Sequence, residues 1–329
     1  MKQTYIGQIQ ELIQIPGAEK IESAIVNCGK GGKWQGCVQK QTFSVGDKCM
    51  VFLQDSILPE IPEFEHMRKH RFRVRMCRFL KTPSEVLISP IAPSSSMEEL
   101  PIGEEISDIV GVTKYEKPIS ISIAGECKGN FPSFIPKTDE VNFQTIPDLI
   151  KDYIGYPCWI TLKYDGTSAT FYHRDGEVGV CSRNLEKKLT SQDVYNRIDK
   201  EYRITQQLQE SNLNYAIQGE IYGPGIQKNP LGVSQLSFAC FDIYDIDTHK
   251  YLLPFEREEL LDRFGIPSVK LIYQTVWLYT DFEQIRTLAD QNLSNGKPAE
   301  GVVVRIYDHS KEFLDNRISF KIINLNYKN

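Results

Sequence analysis

The sequence predicts an α+β protein with two domains, a small N-terminal β-barrel followed by a larger domain of antiparallel sheets flanked by helices. Short strand-like runs separated by glycine- and proline-containing turns occupy the first third of the chain, as in a small barrel. Beyond residue 150 similar runs alternate with a few helix-like segments, which is typical of the α+β class. A stretch rich in glycine and proline separates the two parts. We therefore predict domains at residues 1–120 and 133–329, joined by a linker at residues 121–132.

Length and composition limit what the protein can be. Its 329 residues, 41% of them hydrophobic, can form two domains with cores of ordinary size. The net charge of −5 means that binding to nucleic acid would need a local basic patch. Eight cysteines without a C-x-x-C pair predict reduced thiols rather than metal ligands. No apolar run approaches the roughly 20 residues of a membrane span, so we expect no membrane partner and a cytoplasmic location, or a nuclear one in a eukaryote.

The barrel domain begins with four predicted strands. Each is a run of apolar and β-branched residues bounded by turn residues, and the four runs are residues 5–13, 24–27, 34–38 and 48–53. The glycine-rich segment at residues 29–33 lacks the spacing and the terminal Ser or Thr of a phosphate-binding P-loop. It is therefore predicted to be a hairpin turn.

A basic segment follows in the same domain. Arg71, Arg73 and Arg75 alternate with apolar residues, which predicts a strand with one cationic and one apolar face. Three arginines on one face repel each other unless anions lie nearby, so the segment is a candidate contact for nucleic-acid phosphates. The alternative is an ordinary solvated face.

The second domain is predicted to contain three helices among its strands. Each begins at residues typical of helix N-termini, a capping-box pattern, a proline or an Asp before an apolar run, and the predicted helices cover residues 190–210, 254–263 and 280–291. These helices are expected to be a scaffold, with the chemistry at the ends of strands.

One strand of this domain carries a candidate nucleophile. Lys163 ends an apolar run, Asp165 follows two residues later on the same face, and Gly166 permits a tight turn. An amine that attacks phosphorus must be deprotonated, and burial or a nearby cation can lower its pKa toward that state. Taken alone the K-x-D-G pattern also fits a solvated strand end.

Further segments follow this lysine in order along the chain. They are Ser182-Arg183-Asn184 and the segments at residues 218–223, 238–245, 300–305 and 319–322. This series, over residues 159–323, resembles the covalent nucleotidyltransferases, which comprise polynucleotide ligases and messenger-RNA capping enzymes and form a lysyl–nucleoside monophosphate. The resemblance implies that the second domain is a nucleotidyltransferase domain.

The N-terminal half and the end of the chain indicate one branch of that superfamily. Residues 15–22, 45–47 and 55–59 are similar to the OB-type barrel at the N-terminus of one RNA ligase group. DNA ligases and capping enzymes carry an OB domain after the last lysine motif, whereas only residues 322–329 follow Lys321 here. We therefore expect the OB-type module to be the N-terminal one. The chain resembles the fifth family of ATP-dependent RNA ligases.

The resemblance implies a role for each candidate residue. Lys163 is the nucleophile toward ATP, and Asp165 and Glu300 are the carboxylates for Mg²⁺ or Mn²⁺. The implied nucleotide-binding residues are Leu162, Arg183, Glu220, Phe241 and Lys321, with Glu220 at the ribose, Phe241 against the purine and the two cations at phosphate. A core position for Phe241 and salt-bridge roles for Glu220 and Arg183 remain alternatives.

The implied reaction is RNA ligation. Lys163 takes AMP from ATP, the AMP moves to a 5′-phosphate end, and a 3′-hydroxyl displaces it. The expected partner is RNA, or a duplex containing RNA, with a nick that Arg71, Arg73 and Arg75 help to bind. A GTP-dependent capping guanylyltransferase and an inactive nucleic-acid-binding protein are the alternatives. The chain lacks the second lysine of the usual K-x-K motif after Lys321, and Lys328 or Arg305 could replace it.

Overall fold

The computed structural model describes residues 3–80, 82–92, 95–115, 126–146, 150–307 and 317–327. Contacts divide the chain into two compact units. The first is Met1–Pro118 with Phe143–Leu149, and the second is Ile119–Asn142 with Ile150–Asn329. Residues 121–125 of the expected linker lie outside the described ranges, and Cys127–Asn130 forms a strand of the second unit. Within the described ranges, none of the helices is both long and apolar enough to cross a membrane.

The first unit consists mainly of short strands. In the described residues they are β1 (Thr4–Gln14), β2 (Ile21–Asn27), β3 (Lys33–Gln39), β4 (Lys48–Phe52), β5 (Ser56–Ile57), β6 (Cys77–Phe79), β7 (Thr82–Ser84), β8 (Leu87–Pro90) and β9 (Thr113–Lys114), together with the short helix α1 (Ser107–Val110). Short 3₁₀ helices span Gly29–Gly31, Pro62–His70, Ser96–Glu99 and Phe143–Thr145. An antiparallel sheet has the order β3-β2-β1-β4-β8. The four predicted strands are confirmed as β1 to β4, and the predicted hairpin turn contains Gly29–Gly31.

The sheet of the first unit curls until its two ends meet. The Glu85 amide donates to the Gln35 carbonyl at 2.8 Å, and the Cys37 amide donates to Ser84 Oγ at 2.9 Å. These bonds join β3 to the segment from β7 to β8. Alternating apolar side chains fill the interior, among them Ile9, Val26, Trp34, Val51 and Ile88. The curled sheet and its core confirm the predicted OB-type barrel.

The basic segment of the first unit is extended in only part of its length. Arg71 ends the 3₁₀ helix Pro62–His70 in the left-handed conformation, with φ 55°. Beyond it the Phe72 carbonyl accepts from the Leu58 amide and the Val74 amide donates to the Ser56 carbonyl, both at 2.9 Å, on either side of an isolated bridge between Ile57 and Arg73. The predicted alternation of side chains is nevertheless present, because Phe72 is buried while Arg71 is exposed. The strand prediction is wrong at Arg71, where a helix end sets the backbone, whereas residues 72–74 are hydrogen-bonded to the β5 segment.

Within the described residues, the second unit contains two sheets and the four helices named below. Its strands are β10 (Cys127–Asn130), β11 (Val141–Asn142), β12 (Pro157–Lys163), β13 (Thr167–Arg174), β14 (Glu177–Ser182), β15 (Leu185–Lys187), β16 (Tyr215–Tyr222), β17 (Ser237–Asp245), β18 (Lys250–Tyr251), β19 (Leu271–Val276), β20 (Gly301–Tyr307) and β21 (Arg317–Ile323). Its helices are α2 (Val194–Tyr202), α3 (Ile204–Glu210), α4 (Pro254–Phe264) and α5 (Phe282–Thr287). The predicted helix at residues 190–210 is two helices, because Arg203 takes a left-handed conformation between them, with φ 53°.

The two sheets have the orders β10-β15-β14-β13-β16-β17-β18 and β11-β21-β20-β12-β19. Neighbouring strands are antiparallel except β11 and β21, which are parallel. Helices α2 to α4 cover one face of the larger sheet through an apolar core that includes Phe171, Ile198, Leu208, Ile217 and Leu261. Side chains that alternate with this core point to the opposite face of the sheet. That face and the smaller sheet form the cleft described below.

Candidate active site

Lys163 lies at the end of β12 and forms an ion pair with Glu300. Strand β12 pairs with β20 so that Lys163 is opposite Gly301, which places the preceding Glu300 beside the lysine. Lys163 Nζ donates to Glu300 Oε2 at 2.7 Å. After Lys163 the chain turns into β13 at Gly166, where a Cβ atom would lie 2.2 Å from the Ile221 carbonyl oxygen. Only glycine fits there, as the sequence indicated.

The carboxylates around Lys163 set its protonation. Burial alone would lower the pKa of the Lys163 amine, but the charges of Glu300, Glu220 and Asp165 outweigh it and raise that pKa above its ordinary value. The expectation that burial or a cation leaves this amine with a lowered pKa is therefore wrong for the nucleotide-free protein. The pKa of Lys321 is instead lowered, by burial and by the charge of Lys163.

A cleft lies between the two sheets of the second unit. Its lining combines apolar side chains with hydroxyls and carboxylates: Thr138, Glu140, Thr161, Leu162, Lys163, Tyr164, Ser168, Glu220, Phe241, Val269, Val303 and Arg305. Four of the residues that the sequence singled out, Leu162, Lys163, Glu220 and Phe241, are thus brought together. Arg183, Lys321, Asp165 and Glu300 are not part of this lining.

Glu220 is a buried carboxyl whose environment favours the protonated form. Burial raises its pKa to about 8, and the charges of Glu300 and Asp165 add to this effect while Lys163 opposes it. Glu220 can therefore both donate and accept hydrogen bonds near neutral pH.

A buried arginine, Arg305, which the sequence offered as a substitute for the missing second lysine, also lines the cleft near Phe241. The Arg305 guanidinium lies 5.8 Å from the Phe241 ring centroid and is 1% exposed. It donates to Asp242 Oδ2 at 2.9 Å and to Glu140 Oε1 at 3.4 Å. Arg305 would have to exchange these carboxylates for phosphate in order to replace the missing second lysine. The other candidate, Lys328, lies outside the described residues.

Asp242 and Glu140 are site residues that the sequence did not reveal. Asp242 also accepts from Arg317, at 2.6 Å, and Glu140 accepts from Ser319 Oγ at 2.8 Å. Their partners lie on β20 and β21, so only the pairing of the two sheets brings them together. The alternation of polar and apolar residues in β21 was the available signal, because it predicts polar side chains on one face.

A second contact missed from the sequence involves Asp165. The Tyr327 hydroxyl, from the C-terminal segment, donates to Asp165 Oδ2 at 2.5 Å. Burial and the charges of Asp165 and Glu300 raise the pKa of Tyr327. The hydroxyl therefore stays protonated as a donor.

The carboxylates near Lys163 fit a hydrated divalent cation better than a directly ligated one. Within the described ranges, no three carboxylate, histidine or cysteine side chains form a preformed metal cage. Asp165, Glu220 and Glu300 nevertheless place three carboxyl groups around one amine, and the charges of Glu300 and Asp165 add to the effect of burial in raising the pKa of Glu220. A hard cation that keeps its waters needs oxygen acceptors of this kind.

The remaining predicted cations are held by protein carboxylates or are exposed. Arg183 pairs with Asp139 at 2.6 Å, and both side chains are largely solvent-exposed. In the first unit Arg73 pairs with Asp55 at 2.6 Å and stacks on Tyr115 at 3.6 Å.

Arg71 and Arg75 are exposed. Of the three arginines in the basic segment, these two present the more accessible charge.

Comparison with known proteins gives consistent matches over the whole chain. A model of the RNA ligase family matches residues 157–323, and an OB-fold domain model matches residues 4–91. No protein in the curated collection matches significantly.

Solved structures that match include Naegleria gruberi RNA ligase in an apo mutant form. It is 31% identical, covers 98% of this chain and 96% of that chain, and has a TM-score of 0.82. Mutants of the same ligase with ATP and Mn, and with AMP and Mn, are each 32% identical, with 98% and 97% coverage and TM-scores of 0.82.

Proposed function

This chain belongs to the RNA ligase family, and we propose that it joins RNA ends with ATP through a covalent adenylate on Lys163. The observation that carries the proposal is the position of the Lys163 amine. It lies in a cleft with an aromatic side chain and a protonatable carboxyl, beside an acceptor for its own proton. A nucleotide in this cleft would place its α-phosphate within reach of that amine.

The cleft suits the adenosine part of ATP. Phe241 offers a flat apolar face for a purine, and Leu162 is a neighbouring wall. Glu220, which holds a proton near neutral pH, can exchange hydrogen bonds with a ribose hydroxyl. The relative from Naegleria was solved with ATP and with AMP, which supports ATP as the nucleotide here.

Lys163 is the proposed nucleophile of the first step. Its Nζ forms a bond to the α-phosphorus while the bond from that phosphorus to the pyrophosphate oxygen breaks. The amine must first lose a proton, and Glu300 Oε2 already accepts a hydrogen from it at 2.7 Å. Burial raises the pKa of Glu300, which makes this carboxylate a better proton acceptor.

The other charged residues of the site are assigned to the metal and the phosphates. A bound Mg²⁺ or Mn²⁺ would supply positive charge that neutralises the carboxylates and the phosphates of ATP. We assign Asp165 and Glu300 to hold this cation or its waters. Lys321, whose pKa is lowered by burial and by the charge of Lys163, and Arg183 are assigned to phosphate, and Arg183 would exchange Asp139 for it.

The later steps use the RNA ends. The phosphate at a 5′ end displaces Lys163 from the AMP, and a 3′-hydroxyl then attacks that 5′-phosphorus and releases AMP. We propose nicks in duplexes as the preferred substrate, with Arg71, Arg73 and Arg75 of the barrel contacting backbone phosphates. A 2′-hydroxyl at the 3′-OH end would distinguish RNA from DNA.

The test is a sealing assay on nicked duplexes with either ATP or GTP and magnesium. We expect sealing with ATP when the 3′-OH strand ends in a ribonucleotide, and a large loss when that terminal 2′-hydroxyl is replaced by hydrogen. Transfer of GMP without sealing would support a capping guanylyltransferase instead. Binding of the nick without reaction would support an inactive nucleic-acid-binding protein.

A further inference from the structure

The C-terminal segment reaches back to the loop that follows the candidate nucleophile. Tyr327 lies 162 positions from Asp165 in the sequence, and its hydroxyl donates to Asp165 Oδ2. The two residues are brought together because β21 runs beside β20, and β20 runs beside β12, which leads to Asp165. The contact therefore joins the end of the last strand to the carboxylate two residues beyond Lys163.

The turn that presents Tyr327 is fixed independently of its hydroxyl. Asn324 is 3% exposed, and its amide donates to the Glu300 carbonyl at 2.9 Å. The Asn326 amide donates to Asn324 Oδ1 at 2.8 Å, and the Tyr327 amide donates to the Asn324 carbonyl at 3.1 Å. Because backbone and Asn324 hydrogen bonds form this turn, the hydroxyl is not needed to hold the segment in place.

We propose that Tyr327 is a positioning residue that orients the Asp165 carboxylate toward the divalent cation. This inference rests on the proposed function of the site. The hydroxyl engages Oδ2 and restricts rotation of the carboxylate, so Oδ1 is directed to the cation or to its waters. Hydrogen bonds from residues around a metal site commonly fix the orientation of the metal ligands. The Tyr327 hydroxyl would do the same for the Asp165 carboxylate.

A neutral hydroxyl is well suited to this position. Asp165, Glu220 and Glu300 already surround one lysine, and a second cationic partner for Asp165 would compete with the metal for its charge. The tyrosine donates one hydrogen bond and adds no charge.

The main competing explanation is that the Tyr327 hydroxyl hinders metal binding at Asp165. If the hydroxyl blocked Asp165, removing it would strengthen metal binding. If Tyr327 only packed against the site, removing its hydroxyl would leave metal binding unchanged. The sign of the change in metal affinity therefore separates the three possibilities.

The experiment measures Mn²⁺ binding by electron paramagnetic resonance in Lys163→Ala protein with ATP, where the first chemical step does not proceed. We expect Tyr327→Phe to weaken Mn²⁺ binding roughly tenfold, with ATP affinity in the absence of metal unchanged. The matched control is Tyr273→Phe, the same change at an exposed tyrosine, which should have no effect. Removal of residues 327–329 is a second variant, and it should weaken Mn²⁺ binding at least as much.

A double variant tests whether Tyr327 acts through Asp165. In an Asp165→Asn background, Tyr327→Phe should cause no further loss of Mn²⁺ affinity. Unchanged or tighter Mn²⁺ binding in Tyr327→Phe alone would overturn the inference, as would full additivity in the double variant. Adenylate formation by the wild-type protein is measured separately. Its absence would reject the proposed function, whereas normal adenylate formation with unchanged Mn²⁺ binding in Tyr327→Phe would reject only the role of Tyr327.

Discussion

Lys163 and Glu300 form a 2.7 Å ion pair at the adjoining ends of β12 and β20. Glu300 is held in place by its backbone, because its carbonyl accepts from the Asn324 amide. Gly301 follows it at φ 152°, where a Cβ atom would lie 2.1 Å from the Ile322 carbonyl oxygen. Because Glu300 is fixed beside Lys163, the nucleotide-free site favours the protonated Lys163 amine. That amine must lose a proton before it can attack.

The first prediction separates the chemical steps. Lys163→Ala protein given a nick that already carries AMP on its 5′-phosphate should still seal it, because the last step does not use the lysine as nucleophile. We expect sealing to be roughly 100-fold slower than in the wild type, because the substitution removes the positive charge of Lys163 from the site. Product formation on a denaturing gel measures it, with Lys297→Ala, at an exposed lysine, as the control. Complete loss of this step would show that the lysine is needed beyond nucleophilic attack.

The sequence located several residues of the cleft because their signals are local. Lys163 and Glu220 lie on strands whose apolar alternation is visible in the sequence, and both line the cleft. Gly166 was expected to allow a tight turn, and the closeness of the Ile221 carbonyl explains why. The protonation of Lys163 could not be predicted, because it depends on how β12, β16 and β20 bring carboxylates together.

The second prediction concerns the wall of the cleft. Phe241→Ala should raise the KM for ATP in adenylate formation roughly tenfold, which corresponds to the loss of one aromatic–base stack. Steady-state kinetics with varied ATP measure this effect. Phe255→Ala, at a phenylalanine that is 64% exposed, should leave the KM unchanged. An unchanged KM in Phe241→Ala would place Phe241 in the core rather than at the nucleotide.

The third prediction concerns the buried charges below the cleft. Asp242→Asn should lower the free energy of unfolding by about 3–5 kcal/mol, because it leaves Arg305 and Arg317 without their shared carboxylate. Urea unfolding followed by fluorescence measures the change. The same substitution at the exposed Asp262 is the control and should change stability little. Equal effects of the two substitutions would contradict the buried network.

The buried Asp242 also makes the stability of the fold depend on pH. Burial alone would raise the pKa of Asp242, but Arg305 and Arg317 hold it well below its usual range. A depressed carboxyl pKa stabilises the fold above the unfolded value of about 3.9, and this contribution is lost as pH falls toward the folded value. The stability difference between wild type and Asp242→Asn should therefore be constant at neutral pH and shrink below about pH 4. A difference that grows in acid would contradict the assigned direction.

The fourth prediction concerns the basic segment of the barrel. If Arg71 and Arg75 contact phosphates, each change to alanine should reduce the slope of log affinity for a nicked duplex against log salt by about one. Arg73→Ala should reduce it less, because Asp55 already pairs with this arginine at 2.6 Å. Arg68→Ala, at an arginine paired with Glu65, is the control. Unchanged slopes would favour the solvated-face interpretation.

The contacts that the sequence did not predict join distant residues. Arg305 and Asp242 are 63 positions apart, and Tyr327 and Asp165 are 162 apart. Such pairs depend on the register between strands of two sheets, which alternation alone does not specify. At Arg71 the predicted alternation of exposed and buried side chains was correct but the predicted strand was not. Arg71 ends a 3₁₀ helix in the left-handed conformation, and an arginine in the sequence gives no signal of that conformation.

The most direct test of the account is the chemical identity of the adduct on Lys163. The protein is incubated with magnesium and either ATP or GTP labelled in the α-phosphate, and the labelled peptide is identified by mass spectrometry. We predict AMP from ATP on the peptide containing Lys163, removal of the label by added pyrophosphate, and no label in Lys163→Ala. Label from GTP, label on another residue, or labelling that persists in Lys163→Ala would contradict the account.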